Sequence, residues 1–524
     1  MEQVLDTHMA ALPALEGIQE ISLVDQVEAL RRIATLEIDQ NARAGMGQYM
    51  TPASVARLMA SMFENLTGEL HLLDAGAGVG SLTAAFVEEA CNRKVRSTSI
   101  TVTAYEPDPI LAKHLEKTKA ACRETCQHRG IRFAAQIVPE DFIERAVSLL
   151  REDFFAERNR PRFNRTILNP PYRKIHSDSQ ARKLLRSVGI ETSNLYTAFV
   201  ALAIKLLEDG GDLVAITPRS FCNGPYFKPF RQLLLDTMSL KHIHIFHARN
   251  KAFKDDAVLQ ENVIFHAVKA RAADRILISS STCAEDTRIE RRVTLPRDVV
   301  NPNDPDRVIH IPTTEEEGNV ALKARRLPCS LEDLGIEVST GRVVDFRAEV
   351  YLRMKPGKLT APLIYPGHFE DGFVAWPKLN GRKPNALVDS AATADLLVPS
   401  GTYVLVKRFT AKEERRRVVA AVYDPQRVKT KRVGFENHLN YYHINGDGVA
   451  RNMAKGLALY LNSTLVDQYF RQFSGHTQVN ATDLRSLRYP SIEQLKRLGK
   501  QVRKKLPDQA RIDALIEAEL SASP

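Results

Sequence analysis

Apolar positions along this chain change their period twice, and the changes divide it. Residues 1–45 follow a helical period. In "SLVDQVEALRRIATLEIDQ", Leu23, Val27, Leu30 and Ile33 share one face, and Ser22 can cap the first turn. "GMGQYMTPASVARLMASMF" is helical again, with Thr51 at the N-cap position, Pro52 first in the helix, and Val55, Leu58, Met59, Met62 and Phe63 as its stripe. From about 70 to 270, short apolar strands alternate with helical stretches. The strands are "LHLLDA", "SITVTAYEP", "RFAAQIV", "RTILNPP", "GDLVAITP", "HIHIF" and "ENVIFHAV"; the helices include "DPILAKHLEKTKAACRETC" and "YTAFVALAIKLLEDGG". This alternation predicts an α/β fold, an open and mostly parallel sheet with helices on both faces. Ligands of such sheets lie outside the carboxyl ends of the strands. "RVTLPRDVVNPNDPDRVIHIP" is rich in Pro, Asn and Asp and predicts a linker. Beyond it short mixed elements end in one long helix, "AKGLALYLNSTLVDQYFRQFSG", and then "SIEQLKRLGKQVRKK". The expected organisation is an N-terminal helical segment (1–45), an α/β domain (46–290), a linker (291–312) and a mixed α/β C-terminal domain (313–524).

Composition narrows the class. Hydrophobic residues are 44% and charged residues 26% of the 524, a globular balance that excludes a disordered or fibrous chain. No uncharged apolar run approaches the roughly 18 residues of a membrane span. "MEQVLDTHMAALPALEGIQE" lacks the basic start and apolar core of a signal peptide, so a cytoplasmic protein without a membrane is expected. Six cysteines are scattered; only Cys122 and Cys126 are close, and no His or Cys pair completes a zinc-ligand pattern. Reduced structural thiols and no metal are the expectation. The net charge is +10, and much of it crowds one stretch: Lys407, Arg408, Lys412, Arg415, Arg416, Arg417, Arg427, Lys429, Lys431 and Arg432. Such crowding suits a polyanion, most simply nucleic acid.

Candidate chemistry sits at the expected strand ends. "HLLDAGAGVGSLT" ends a strand at Asp74 and then alternates Gly76, Gly78 and Gly80. The spacing is neither the dinucleotide G-x-G-x-x-G nor a P-loop. Glu106 closes the next strand, where an acid suits the two hydroxyls of a ribose. Asp141, after the third, can accept from an adenine amine, with Phe142 beside it to pack on the ring. Thr51, at a helix start, suits a carboxylate or phosphate. Together these describe an adenosine without a triphosphate cradle, which S-adenosylmethionine fits. The fourth strand ends in Asn169-Pro170-Pro171-Tyr172, a stiff turn carrying an amide, a carbonyl and a ring.

D-x-G-x-G-x-G, Glu106, "EDF" and "NPPY", in that order, resemble the S-adenosylmethionine-dependent amino-methyltransferases of bacterial restriction–modification systems. "QYMTP" before the glycine loop and a long C-terminal region resemble their gamma class, the Taq-type and Eco57I-type enzymes, over about residues 40–490. The resemblance implies a Rossmann-like class I methyltransferase sheet in 46–290 and a target-recognition domain in 313–524. It implies methylation of the N6 amine of a flipped-out adenine in double-stranded DNA; with no carboxylate–lysine nuclease constellation in the sequence, restriction is expected of a separately encoded endonuclease. Asn169 and Pro170 would accept the hydrogens of the amine, Pro171 would hold them still, and Tyr172 would stack on the base. By the same resemblance Phe227 closes the base pocket, with Phe221 and Tyr226 as rivals. Arg342 and Arg347 in "STGRVVDFR", with Lys407, Arg408, Lys431 and Arg432, would contact DNA. The tetrapeptide itself leaves cytosine-N4 methylation open. A protein-glutamine or ribosomal-RNA methyltransferase and a catalytically inactive DNA-binding module are the remaining alternatives.

Overall fold

A computed structural model describes residues 21–38, 49–151, 162–247, 261–270, 272–286, 288–411, 413–475 and 477–521. The chain forms two compact units: residues 1–173 with 205–215, and residues 174–204 with 216–524. Among the described residues no helix is long and apolar enough to cross a membrane, and no group of three His, Cys, Asp or Glu side chains could hold a metal ion.

Unit 1 begins with α1 (Leu23–Glu37), capped by the Ser22 side chain, and α2 (Ala53–Ser61). The buried face of α1 is Leu23, Val24, Val27, Arg31 and Ala34, which keeps Leu23 and Val27 of the expected stripe and shifts by one residue after them: Ile33 is 46% exposed. Glu28 explains the rotation. It holds Arg31 at 2.8 Å and accepts from the Ala53 N–H at the start of α2 at 3.2 Å, so a polar link faces inward where apolar contact was expected. Then follow β1 (Gly68–Ala75), α3 (Ser81–Asn92), β2 (Ser97–Tyr105), α4 (Pro109–His128), β3 (Arg132–Val138), α5 (Phe142–Arg151) and β4 (Phe163–Leu168). α6 (Gln180–Ser187) and most of α7 (Leu195–Leu206) belong to unit 2 and lead in sequence to β5 (Leu207–Pro218), whose first part belongs to unit 1. The order is β3-β2-β1-β4-β5, all parallel. Register aligns the carboxyl ends: Ala75 lies opposite Tyr105, Tyr105 opposite Val138, and Asp74 opposite Ile167. The expected parallel sheet is therefore present, and the loops carrying the candidate residues leave it at one level.

Unit 2 carries α8 (Lys228–Thr237), the antiparallel pair β6 (Met238–Phe246) and β7 (Asn262–Lys269), then β8 (Ile276–Ser281) parallel to β6, and β9 (Glu290–Thr294). The stretch expected as a linker is folded here. It contributes β9, and Val299, Val308, Ile309 and Ile311 are all at most 3% exposed. Farther on, two sheets pack face to face. One orders Glu337–Thr340, Leu439–His443, Tyr403–Lys407, Ala420–Tyr423, Phe373–Val374 and Phe369–Glu370; the other, of five strands, includes Thr360–Ile364 and Arg432–Phe435. Strand alternation divides the cores. Tyr403 and Leu405 join one cluster with Ile364, Val433 and Phe435, while Val404 and Val406 join another with the C-terminal helices. Those helices include α9 (Arg451–Leu461), α10 (Thr464–Arg471) and α11 (Ile492–Gln501). The long helix expected over 454–475 is thus two. Ser463 caps α10 by accepting from the Val466 N–H, and Asn462 turns its amide onto both main-chain groups of Ala420.

Candidate active site

The glycine loop follows β1 and is built on backbone bonds to β2: the Gly76 and Ala77 N–H groups both donate to the Tyr105 carbonyl, at 3.0 and 2.9 Å. Gly78 and Gly80 have φ of +59° and +89°, conformations a side chain disfavours. A Cβ at Gly80 would lie 2.7 Å from Leu115 Cδ1 and 2.8 Å from Thr118 Cγ2, whereas one at Gly78 would have nothing nearer than Met50 Cγ at 4.0 Å. Gly80 is therefore needed for packing, and Gly78 leaves its face of the loop open to a ligand.

Two buried carboxylates stand beside this loop. Asp74 is 0% exposed; its Oδ2 accepts from the Thr83 hydroxyl at 2.6 Å, and its buried Oδ1 has no partner among the described residues. Burial pushes its carboxyl up to about 7. Glu106, 3% exposed, accepts from the Gly78 N–H at 2.8 Å and the Asp108 N–H at 2.9 Å, and burial lifts it to about 7 as well. Neither has a cationic side chain to balance it in these bonds. An orphaned, buried acceptor beside an open glycine face is what a cofactor bearing an ammonium group and a ribose diol would satisfy. Asp141 is exposed and spends Oδ1 on the Ile143 and Glu144 N–H groups of α5, at 2.8 and 3.1 Å. The Phe142 ring is 2% exposed and meets Tyr105 edge-on at 5.1 Å, so it offers an adenine a rim rather than a full face.

Asn169 follows β4 directly. Its Nδ2 donates to the Tyr49 carbonyl at 2.9 Å and to Thr51 Oγ1 at 3.1 Å, and its Oδ1 accepts from the Tyr172 hydroxyl at 3.0 Å. A carbonyl can only accept, so the end of the amide facing Tyr49 must be the NH2 group, and the orientation is decided by chemistry. Pro170 is buried, Pro171 and Tyr172 are half-buried, and the Tyr172 ring lies 5.6 Å from that of Tyr49.

Thr51 differs from its sequence reading. α2 starts at Ala53, and Pro52, extended at ψ 155°, is the cap residue. The residue before a proline is pushed out of the helical region, so Thr51 stands outside the helix with its hydroxyl on Asn169. The helix-start N–H of Ala53 is taken by Glu28, as described, and does not await an anion. Tyr49, Thr83 and Glu28 were not singled out in the sequence. Thr83, one turn into the helix after the glycine loop, and Tyr49, inside "QYMTP", had local signals; Glu28 had none.

In unit 2, Phe227 is half-buried with its ring 5.7 Å from Tyr196; its rivals divide cleanly, Phe221 being 3% and Tyr226 78% exposed. The basic stretch is mixed. Arg342, Arg347 and Lys431 are exposed, and Arg342 donates to the Asp395 carbonyl at 3.1 Å. Lys407 is half-buried near Phe369, Arg408 donates to the Asn437 carbonyl at 3.2 Å, and Arg432 is paired with Asp389. Arg417 is core, not surface: it is 1% exposed, bonded to Thr410 and Ser474, and lies over Phe470.

Residues 90–253 match the Eco57I restriction-modification methylase family. The chain is 48% identical over 501 residues to the type II methyltransferase M.PstI of Providencia stuartii, covering 95% of this chain and 98% of that protein. It is 47% identical to the type II methyltransferase M.BsuBI of Bacillus subtilis, covering 91% and 94%. Among solved structures, the type IIL restriction-modification enzyme MmeI in complex with DNA is similar in fold, at a TM-score of 0.52 and 12% identity, over 100% of this chain and 76% of that one. The α/β sheet with its glycine loop is the methylase fold of this family, and the cofactor is S-adenosyl-L-methionine. The chain belongs to the type II DNA methyltransferases of restriction–modification systems.

Proposed function

We propose that the chain methylates the exocyclic N6 amine of an adenine in double-stranded DNA, as the modification component of a type II-like system. The observation that carries this reading is the fixed amide of Asn169: its Nδ2 is committed to Tyr49 and Thr51, so Oδ1, which takes the Tyr172 hydroxyl on one lone pair, is the end of the amide that can accept from a substrate with the other. When bound, the cofactor supplies an electrophilic methyl group on a sulfonium. Adenine N6 is a poor nucleophile because its lone pair is delocalised into the ring. Asn169 Oδ1 and the Pro170 carbonyl accept its two hydrogens and so favour the tetrahedral, positively charged nitrogen of the transition state. Pro171 contributes no N–H and a fixed φ, which holds the Pro170 carbonyl. Once N6 is methylated, its surplus proton stays hydrogen-bonded to Asn169 Oδ1 until water takes it.

An amine inside a duplex is out of reach, so the base swings out and stacks on the half-exposed Tyr172 ring. Asp74 Oδ1 takes the cofactor ammonium, Glu106 the ribose hydroxyls, and Asp141 Oδ2 the adenine amine; Gly76, Gly78 and Gly80 allow the close approach. Thr51 acts on Asn169 rather than on the cofactor. Arg342, Arg347, Lys407, Arg408 and Lys431 contact phosphate, and Arg432 does so by exchanging Asp389 for it. Restriction falls to a separately encoded endonuclease acting on the same site in the cytoplasm, a division supported by relatives of matching length that are named as methyltransferases.

Incubation with labelled S-adenosylmethionine and duplex DNA, followed by nucleoside analysis, tests the reading. N6-methyladenine is expected. N4-methylcytosine would overturn the choice of base, and transfer to RNA or protein but never to DNA would overturn the whole. Asn169→Ala should lower the transfer rate by at least about 100-fold, as for loss of a preorganised transition-state partner, with cofactor affinity held within a few fold.

A further inference from the structure

Unit 2 holds a cavity of about 430 Å3 that none of the roles above uses; its wall includes Glu436, His438, His368, Phe409, Lys378 and Arg382. His368 is committed internally: it is 4% exposed, Nδ1 accepts from the Tyr365 N–H at 2.9 Å, and Nε2 lies 3.2 Å from Asn385 Oδ1. His438 is arranged differently. Its Nδ1 meets one oxygen of the Glu436 carboxylate, and the other oxygen accepts the His438 backbone N–H at 3.0 Å. The Glu436 side chain is 1% exposed, the His438 side chain 49%. Burial raises the Glu436 carboxyl, and the His438 bonds pull it back. A carboxylate accepts, so Nδ1 carries the shared hydrogen, and Nε2 is the ring nitrogen left for something outside.

The mount is rigid. The His438 ring lies 4.8 Å from Phe409, the Arg408 N–H donates to the His438 carbonyl at 2.8 Å, and the Asn437 N–H donates to Val343 at 2.8 Å. Lys378 and Arg382 place cations on the same wall, and Arg382 is exposed. Lys378 is paired with Glu370 at 3.8 Å, which leaves Arg382 as the exposed cation beside the fixed imidazole; the pair suits a duplex, the guanidinium meeting phosphate and the ring nitrogen meeting a base edge.

We propose that His438, oriented by Glu436, reads a base edge in the major groove and sets one position of the recognition sequence, with Arg382 contacting a neighbouring phosphate. The inference rests on duplex DNA being the substrate. As a neutral ring, Nε2 accepts from the exocyclic amine of adenine or cytosine; doubly protonated, it donates to guanine.

The test begins by mapping the methylated sequence with the unaltered protein. If that protein does not methylate DNA, the proposed function itself fails. With the site in hand, kcat/KM is measured on the cognate duplex and on duplexes changed one base pair at a time. For His438→Ala, the cognate value should fall about 5- to 30-fold, while one substituted duplex, and no other, becomes as good as the cognate. Arg382→Ala should weaken all duplexes alike and reduce the slope of log K against log salt by about 0.9. Uniform weakening by His438→Ala, with that same loss of slope, would make it a phosphate contact and overturn the proposal. No change on any duplex would overturn it too. His438 is half-exposed, and an unchanged urea unfolding curve would exclude misfolding as the cause.

Discussion

Replacing Thr51 by valine separates two accounts of this residue. The side chain keeps its shape and loses only the hydroxyl. In the structure that oxygen accepts from Asn169 Nδ2 at 3.1 Å, while the Tyr49 carbonyl accepts from the same nitrogen at 2.9 Å. One of the two bonds that orient the amide is lost and the other remains. A neutral hydrogen bond of this kind is worth about 0.5–1.5 kcal/mol net, which is roughly 2- to 13-fold in rate if it is expressed wholly in the transition state. Single-turnover methyl transfer should therefore slow by that factor, and the dissociation constant of S-adenosylmethionine should stay within about twofold. Rapid quench with labelled cofactor gives the first quantity and calorimetry the second. A cofactor affinity reduced tenfold with the transfer rate unchanged would restore Thr51 to the cofactor and refute the positioning role. Unchanged values for both would mean that Tyr49 alone orients the amide.

Three further outcomes are expected. Asp74 and Glu106 are each raised to about 7 by burial, above their unfolded values near 4. The stability they contribute is therefore complete below about pH 4 and is lost as pH rises through 7. The melting temperature of the cofactor-free protein should fall across that window, less so in Asp74→Asn, and cofactor binding should tighten as pH rises through 7 with release of protons, measurable by calorimetry in buffers of different ionisation enthalpy. Gly80→Ala combines left-handed strain of about 1–2 kcal/mol with overlap on Leu115 and Thr118 of about 1–3 kcal/mol, and urea unfolding should register the sum. Gly78→Ala carries only the strain, so it should lose cofactor affinity out of proportion to stability. Lys431→Ala should reduce the salt slope of DNA binding by about 0.9. Arg432→Ala should reduce it less, because Asp389 already holds that guanidinium.

Sequence legibility followed distance along the chain. β3 occupies Arg132–Val138, the very residues of "RFAAQIV", because alternation and flanking turns are local signals. The glycine loop, Glu106 and "NPPY" were legible for the same reason: each ends a strand, and a parallel sheet brings strand ends together without further instruction. The misses are all through-space. Ile33 and Ala34 exchanged places because Glu28 reaches from α1 to the start of α2. Asn462 interrupts a helix-forming run because Ala420, forty-two residues earlier, offers its amide both a donor and an acceptor. Arg417 reads as one more cation in a basic run, and only the fold supplies Thr410, Ser474 and the Phe470 ring that let it be buried.

Thr51 belongs to the same class, and its case sharpens what "NPPY" does. The sequence gives Asn169 two possible orientations of its amide, one presenting an acceptor and one a donor, and nothing within the tetrapeptide chooses. The choice comes from Tyr49 and Thr51, 120 and 118 residues earlier, which accept from Nδ2. A donor presented to an exocyclic amine would meet its hydrogens and oppose attack, so the tetrapeptide's chemistry depends on the "QYMTP" segment lying against it. On the proposed reaction, that dependence gives a physical reason for the two motifs to occur together in one chain: the first fixes which end of the Asn169 amide is its acceptor.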